Sequence, residues 1–144
     1  MDNLSLSKHT YKHLSMSRQS GEWRVRGLRG ATTSQNSVAA ITAAVDELLD
    51  ALEANNSLDP SEIVSVTFSV TSDLDAIFPA AVARRRPGWD EVPLLDVQQM
   101  QVVGSLQFCI RVLIHLNTPL PQNALHHVYL RHAAKLRPDL ALLS

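Results

Sequence analysis

At 144 residues, 45% hydrophobic and 19% charged, the chain has the length and composition of one ordinary domain able to build a core. Thirteen Lys plus Arg against fourteen Asp plus Glu leave a formal net charge of -1, which supplies no general attraction to nucleic acid or membrane surfaces. Cys109 is the single cysteine, so an intrachain disulfide and any multi-cysteine metal site are excluded.

Residues 1–21 form a Ser-rich, acid-poor stretch with little apolar material to bury, and are expected to be a flexible extension of a domain spanning 22–144. The stretch has no apolar h-region of a secretory signal; an organellar transit segment is the alternative, and Met16 is a second possible start. No apolar run reaches the roughly 18 residues of a membrane span. A soluble, cytoplasmic protein is expected.

Trp23, Val25 and Leu28 predict a first strand in WRVRGLRG, ended by Gly30 and the polar stretch that follows. Val38, Ile41, Val45, Leu48 and Leu52 recur at three- and four-residue intervals, predicting a helix capped by Ser37 or Asn36 and ending near Asn55-Asn56. Val64, Val66, Phe68 and Val70 share one face of a predicted strand in IVSVTFSVT. A short helix is expected from Pro79 to the Pro87-Gly88 stop, where a first-turn proline loses no hydrogen bond. Glu91 to Val97 reads as a strand that Pro93 confines to an edge.

Cys109 to Leu116 is a stronger strand, with Ile110, Val112, Ile114 and Leu116 on one face and Cys109, Arg111, Leu113 and His115 on the other. A helix containing Leu125, Val128 and Tyr129 and a short strand near Ala133 to Leu136 complete the order β-α-β-α-β-β-α-β. The fold class is compact α/β with a mixed sheet. Helices on one face would leave a partly apolar second face for another subunit to cover.

No phosphate-binding loop or dinucleotide-binding glycine fingerprint is present. Adjacent His126 and His127 diverge by about 100° on the expected helix and lack the spacing of a metal pair. Cys109 reads as a packed strand residue. Arginine dominates the basic residues, and Arg111 is the informative one because it interrupts an apolar strand. Either a structural or intersubunit ion pair or an anion site would satisfy it. A guanidinium fork suits carboxylates, so a small di-acid fits better than a sugar or nucleobase. Arg84-Arg85-Arg86 is the only attraction for nucleic acid, and Arg85 and Arg86 are expected to be solvated or intersubunit surface charges.

RGLRGATT (26–33), LDAIFPAAVARR (74–85), CIRVLIH (109–115) and HHVYLRHAAKLRPDL (126–140) together closely resemble the AroH-class chorismate mutases, in the same order and at similar intervals. The resemblance implies a pseudo-barrel homotrimer with clefts between subunits, no cofactor, and conversion of chorismate to prephenate on the route to phenylalanine and tyrosine. It places Arg111 on the substrate's ether oxygen, Arg29 on a carboxylate with Tyr129 as its hydroxyl partner, and Arg137 near the cleft entrance. Phe78 and Arg84 are implied to come from the neighbouring subunit, and Leu95 to line the cleft.

Two positions depart from the family pattern: Asp96 stands where a cysteine is usual, and Gln99 where a glutamate accepts the substrate hydroxyl. Gln99 keeps the amide oxygen but not the charge. A carboxylate moved to Asp96 is the expected compensation. Ala81 in place of a cleft-edge lysine and Gln101 in place of an acid are milder changes. The alternative reading is a catalytically weak family member that binds chorismate or prephenate.

Overall fold

The computed structural model describes residues 22–139, so the expected extension over 1–21 lies outside the described residues. Five strands form one mixed sheet: β1 (Arg24–Thr33), β2 (Ile63–Val70), β3 (Leu94–Gln98), β4 (Cys109–Thr118) and β5 (Val128–Tyr129), in the spatial order β3-β2-β4-β1-β5. The β3–β2 and β1–β5 pairs are parallel, and β2–β4 and β4–β1 antiparallel. Helices α1 (Val38–Asn56) and α2 (Pro79–Arg84) supply the helical cover.

Helix α1 forms as its periodicity predicts. Ser37 Oγ accepts the Ala40 N–H at 3.0 Å, and the chain leaves the helix through Ser57 in the left-handed region at φ 48°. Its buried stripe of Ile41, Val45, Leu48, Leu49 and Leu52 packs with Leu28, Phe68, Ile110, Val112 and Ile114 in the main core. Burying a side chain of this kind is worth about 1.5–3 kcal/mol, so the alternating faces of β2 and β4 are fixed strongly. The edge position of β3 agrees with its preceding proline, whose carbonyl accepts the Val66 N–H at 2.9 Å.

Several elements differ from expectation. Strand β1 does not end at Gly30 but runs to Thr33, because its last four residues are buried and paired through to Cys109. Gly30 lets α1 pack closely on it: a Cβ there would lie 3.0 Å from Leu52 Cδ1, so the leucine would have to give way. Val64 leaves the core face, since an irregular register between Ile63 and Ser65 gives its place to Ile63. The expected helix through Leu125, Val128 and Tyr129 is instead a 3-10 turn at Gln122–Ala124 followed by β5. A β-branched and an aromatic residue meet β1 there and gain a ladder that one isolated helical turn lacks. Ala133 to Leu136 is not a strand; Arg131–Lys135 is a 3-10 turn, entered through Arg131 at φ 54°.

The run Arg84-Arg85-Arg86 is not uniformly solvated. The Arg86 side chain is 10% exposed and pairs with Asp46, Asp50 and Glu53 of α1 at 3.0, 2.8 and 3.0 Å. Trp89, fully buried, donates its indole N–H to the other Glu53 oxygen at 2.8 Å. This cluster ties the end of α2 to α1.

Candidate active site

The sheet face away from α1 is open. Alternation along each strand turns Arg29, Arg111 and Leu113 to it, together with Thr67, Ser69, Leu95 and Val97. Register then sets them in two rows. Val97, Ser69, Arg111, Ala31 and Tyr129 are successive partners across β3, β2, β4, β1 and β5. Leu95, Thr67, Leu113 and Arg29 form the neighbouring row. Arg29 and Arg111 are thus diagonal neighbours, with Cα atoms about 7–8 Å apart.

Arg111 is flanked in its row by the small residues Ser69 and Ala31, which leave space above the sheet. The result is a cavity of about 540 Å³ whose lining includes Arg29, Arg111, Tyr129 and Arg137. Tyr129 packs with Ala31, Ala133 and Leu136 in a small second core and is 7% exposed. Arg137 holds Asp139 through two hydrogen bonds, of 3.1 and 2.8 Å. Arg111 is solvent-exposed in the protomer and lies beside the buried Cys109 thiol, whose pKa burial pushes up while the guanidinium opposes that shift. Cys109 is therefore a packed, protonated thiol.

The other implied residues lie elsewhere in the same protomer. Phe78, 70% exposed, and Asp96 line a separate cavity of about 610 Å³ at the start of α2. Strand β3 turns Leu95 and Asp96 to opposite faces, Leu95 onto the open face beside Thr67 and Asp96 beside the core residue Phe68. Asp96 Oδ1 accepts the Ala80 N–H at 3.0 Å, capping α2 from another strand where the N-cap residue Phe78 has no side chain able to do so. Burial pushes the Asp96 carboxyl above its ordinary pKa, against the opposing pull of the Ala80 N–H and of Arg84. Arg84 itself is exposed at the last turn of α2.

Gln99 sits in a third hollow of about 280 Å³ with Thr71, Asp73 and the loop through Gln107. Its Oε1 is buried without a hydrogen-bond donor among the described residues. The protomer therefore brings Arg29, Arg111, Tyr129 and Arg137 together, and keeps Phe78, Arg84, Leu95, Asp96 and Gln99 out of that cavity's lining.

Residues the sequence reading did not single out complete the hollow. His127, weighed in the sequence only as half of a metal pair, lies outside the lining and accepts the Arg29 N–H on Nδ1 at 2.9 Å, whereas Thr67, Ser69 and Ala31 make the floor. Their signal was strand alternation, which becomes readable only once the partner strands are known.

Comparison with known proteins gives one consistent result. The family model for chorismate mutase type I matches residues 25–140. "Chorismate mutase AroH" of Bacillus subtilis (strain 168) is 40% identical over 119 residues, covering 82% of this chain and 94% of that protein. "Chorismate mutase AroH" of Thermus thermophilus is 48% identical over 118 residues, 81% of this chain and 96% of its own length. Among solved structures, the chorismate mutase from Clostridium thermocellum superimposes with a TM-score of 0.72 at 40% identity, covering 76% of this chain and 97% of that one.

Proposed function

Because the chain belongs to the chorismate mutase type I family, we propose that it rearranges chorismate to prephenate, in clefts formed between the subunits of a homotrimer. The observation that carries this reading is the hollow in which two diagonal guanidiniums, Arg29 and Arg111, share a wall with Tyr129 and Arg137. A dianion of ring size is the natural occupant of such a set.

The rearrangement is unimolecular: one ether C–O bond breaks as one C–C bond forms. It requires no nucleophile and no proton transfer. What remains for the protein is to hold the compact diaxial conformer and to stabilise negative charge growing on the ether oxygen. Arg111, central in its row and unobstructed by Ser69 and Ala31, is assigned to that oxygen. Arg29 takes a carboxylate with the Tyr129 hydroxyl beside it, and Arg137 closes on the anion from the C-terminal side.

The trimer is supported by what the protomer leaves open. Leu95, Val97 and Leu113 are 58%, 41% and 39% exposed on the uncovered sheet face, and Phe78 projects with 70% of its surface in water. A cleft between copies would bring Phe78, Arg84 and Asp96 of one subunit, with Gln99 just beyond the end of β3, over Arg111 of the next, while Leu95 on the opposite face of β3 lines the apolar seam between copies. Gln99 then offers its amide oxygen to the substrate hydroxyl by turning its side chain out of the hollow in which that oxygen is buried. Asp96 supplies the carboxylate absent at that position, through the oxygen that Ala80 does not hold.

The test is chorismate consumption followed by ultraviolet absorbance with prephenate identified as product, alongside light scattering for the trimer. The parent is expected to turn over, and Arg111→Ala to lose about 3–4 kcal/mol of transition-state stabilisation, a factor on the order of 10²–10³ in kcat. A trimeric parent that binds chorismate without converting it would replace this reading with that of a binding protein, for which the neutral Gln99 is the specific argument.

A further inference from the structure

His126 and His127 have no part in the chemistry above, yet they occupy the segment that delivers Tyr129. His126 is gripped at its backbone by Asn56 of α1: its N–H donates to Asn56 Oδ1 at 2.7 Å, and Asn56 Nδ2 donates to its carbonyl at 2.9 Å. The next residue reaches across to β1, where its Nδ1 accepts the Arg29 N–H at 2.9 Å. An accepting Nδ1 carries no proton, so the neutral ring has its hydrogen on Nε2. Beyond it, β5 contributes only Val128 and Tyr129 to the parallel ladder, followed by the Leu130 N–H donating to the Ala31 carbonyl at 2.9 Å. A two-residue strand has little ladder of its own to fix its register. The imidazole occupies the position before the ladder begins and bonds the peptide that carries the Arg29 side chain.

We propose that His127 is a positioning residue for the rearrangement: its neutral ring fixes the Arg29 peptide against β5, and so sets the Arg29 guanidinium relative to Tyr129. The role rests on the function proposed above. It separates Arg29's main chain from its side chain, the first held by imidazole and the second left for substrate.

The surrounding charge favours the same protonation state. Burial first, then Arg29 on β1, Arg137 on the C-terminal segment and His126 beside it, hold the ring's pKa below the ordinary histidine value. Asn56 of α1, which grips the backbone of the neighbouring His126, is neutral, and Asp139 is engaged by Arg137. Protonation at Nδ1 would set one N–H against another and release the Arg29 peptide.

The experiment compares chorismate kinetics of the parent, His127→Ala and His127→Asn from pH 5 to 8. The Asn side chain places an amide oxygen near the Nδ1 position but does not titrate. His127→Ala is expected to raise KM about tenfold, the upper range for loss of one hydrogen bond, with kcat changed less. His127→Asn should recover most of that affinity, and should lack the rise in KM that the parent shows as pH falls below the ordinary histidine range. An active parent with a His127→Ala KM equal to its own overturns the positioning role while leaving the mutase intact. So does a His127→Asn as impaired as the alanine variant, or a parent that binds chorismate more tightly at acid pH. A parent that makes no prephenate overturns the mutase reading itself. Should His127→Ala fail to fold, the Asn variant and the parent's pH profile still decide the matter.

Discussion

Replacing Arg86 with Met would probe the joint between α1 and the short helix that carries Arg84. The Arg86 guanidinium is shared by three carboxylates and lies 6.0 Å from the centre of the Trp89 ring. Its partners are unequal. Asp46 and Asp50 side chains are 45% and 72% exposed, so their pairs resemble surface ion pairs worth about 0.5 kcal/mol each. The Glu53 side chain, 30% exposed, makes the stronger bond, about 1.5–3 kcal/mol for a charge-assisted contact. Contact with the Trp89 face adds roughly 0.5 kcal/mol at that distance. Against these stand the guanidinium's own desolvation and its buried Nε, without an acceptor among the described residues, both relieved by Met, which fills similar volume. The net expected loss is about 2 kcal/mol. For a chain of this size that corresponds to a fall in Tm of roughly 6–10 °C. Thermal melts at one fixed protein concentration measure it, with Arg86→Lys falling between because it keeps the charge and loses the fork. A Tm for Arg86→Met within a degree of the parent would refute the reasoning, and would mean that the apolar face of α2 anchors it alone.

Two further changes test the site's supports. Asp96→Asn keeps an acceptor for the Ala80 N–H and removes a carboxylate that burial disfavours. Because the folded pKa is raised, the fold favours the protonated acid: that contribution is full at low pH and lost as pH rises through the folded pKa. The Asn variant should therefore melt at or above the parent at neutral pH, the difference closing on acidification, and a clearly lower neutral Tm would contradict the burial argument; a simultaneous fall in prephenate formation would show that the charge serves the reaction. Gly30→Ala would place a methyl 3.0 Å from Leu52 Cδ1 and 3.2 Å from Leu48 Cδ1 and Val112 Cγ1. A loss of about 1–3 kcal/mol is expected by denaturant unfolding, with weakened chorismate affinity as the flanking Arg29 shifts, and an unchanged midpoint would refute it.

What the sequence made legible was whatever one element contains by itself. The stripe of α1, its Ser37 cap, and the alternation of β4 are local patterns, and each appears in the structure. The failures concern what a segment meets. Val128 and Tyr129 look equally at home on a short helix or strand until β1 supplies a partner, and Arg86 looks like surface charge until α1 places three acids around it. The floor of the candidate site is the extreme case, because Ser69, Arg111, Ala31 and Tyr129 become one row only through strand order and register. Alternation also held a message that the assignment of both Leu95 and Asp96 to the cleft passed over: consecutive residues of a strand face opposite ways, so the two cannot both point at one face of the sheet.

Arg111 shows where the two kinds of information combine. An arginine in an apolar strand suggested a buried charge in need of a partner, whereas the protomer leaves it exposed on the open face of the half-buried β4. Under the proposed assembly its desolvation arrives with the neighbouring subunit, which covers the open face and supplies the remaining cleft wall. An anion above Arg111 then loses competing water at the step that builds the trimer, and its attraction to the guanidinium strengthens as the local dielectric falls. Assembly and catalytic competence are on this account one event. Dilution below the trimer's dissociation range should abolish turnover in parallel with the loss of trimer in light scattering.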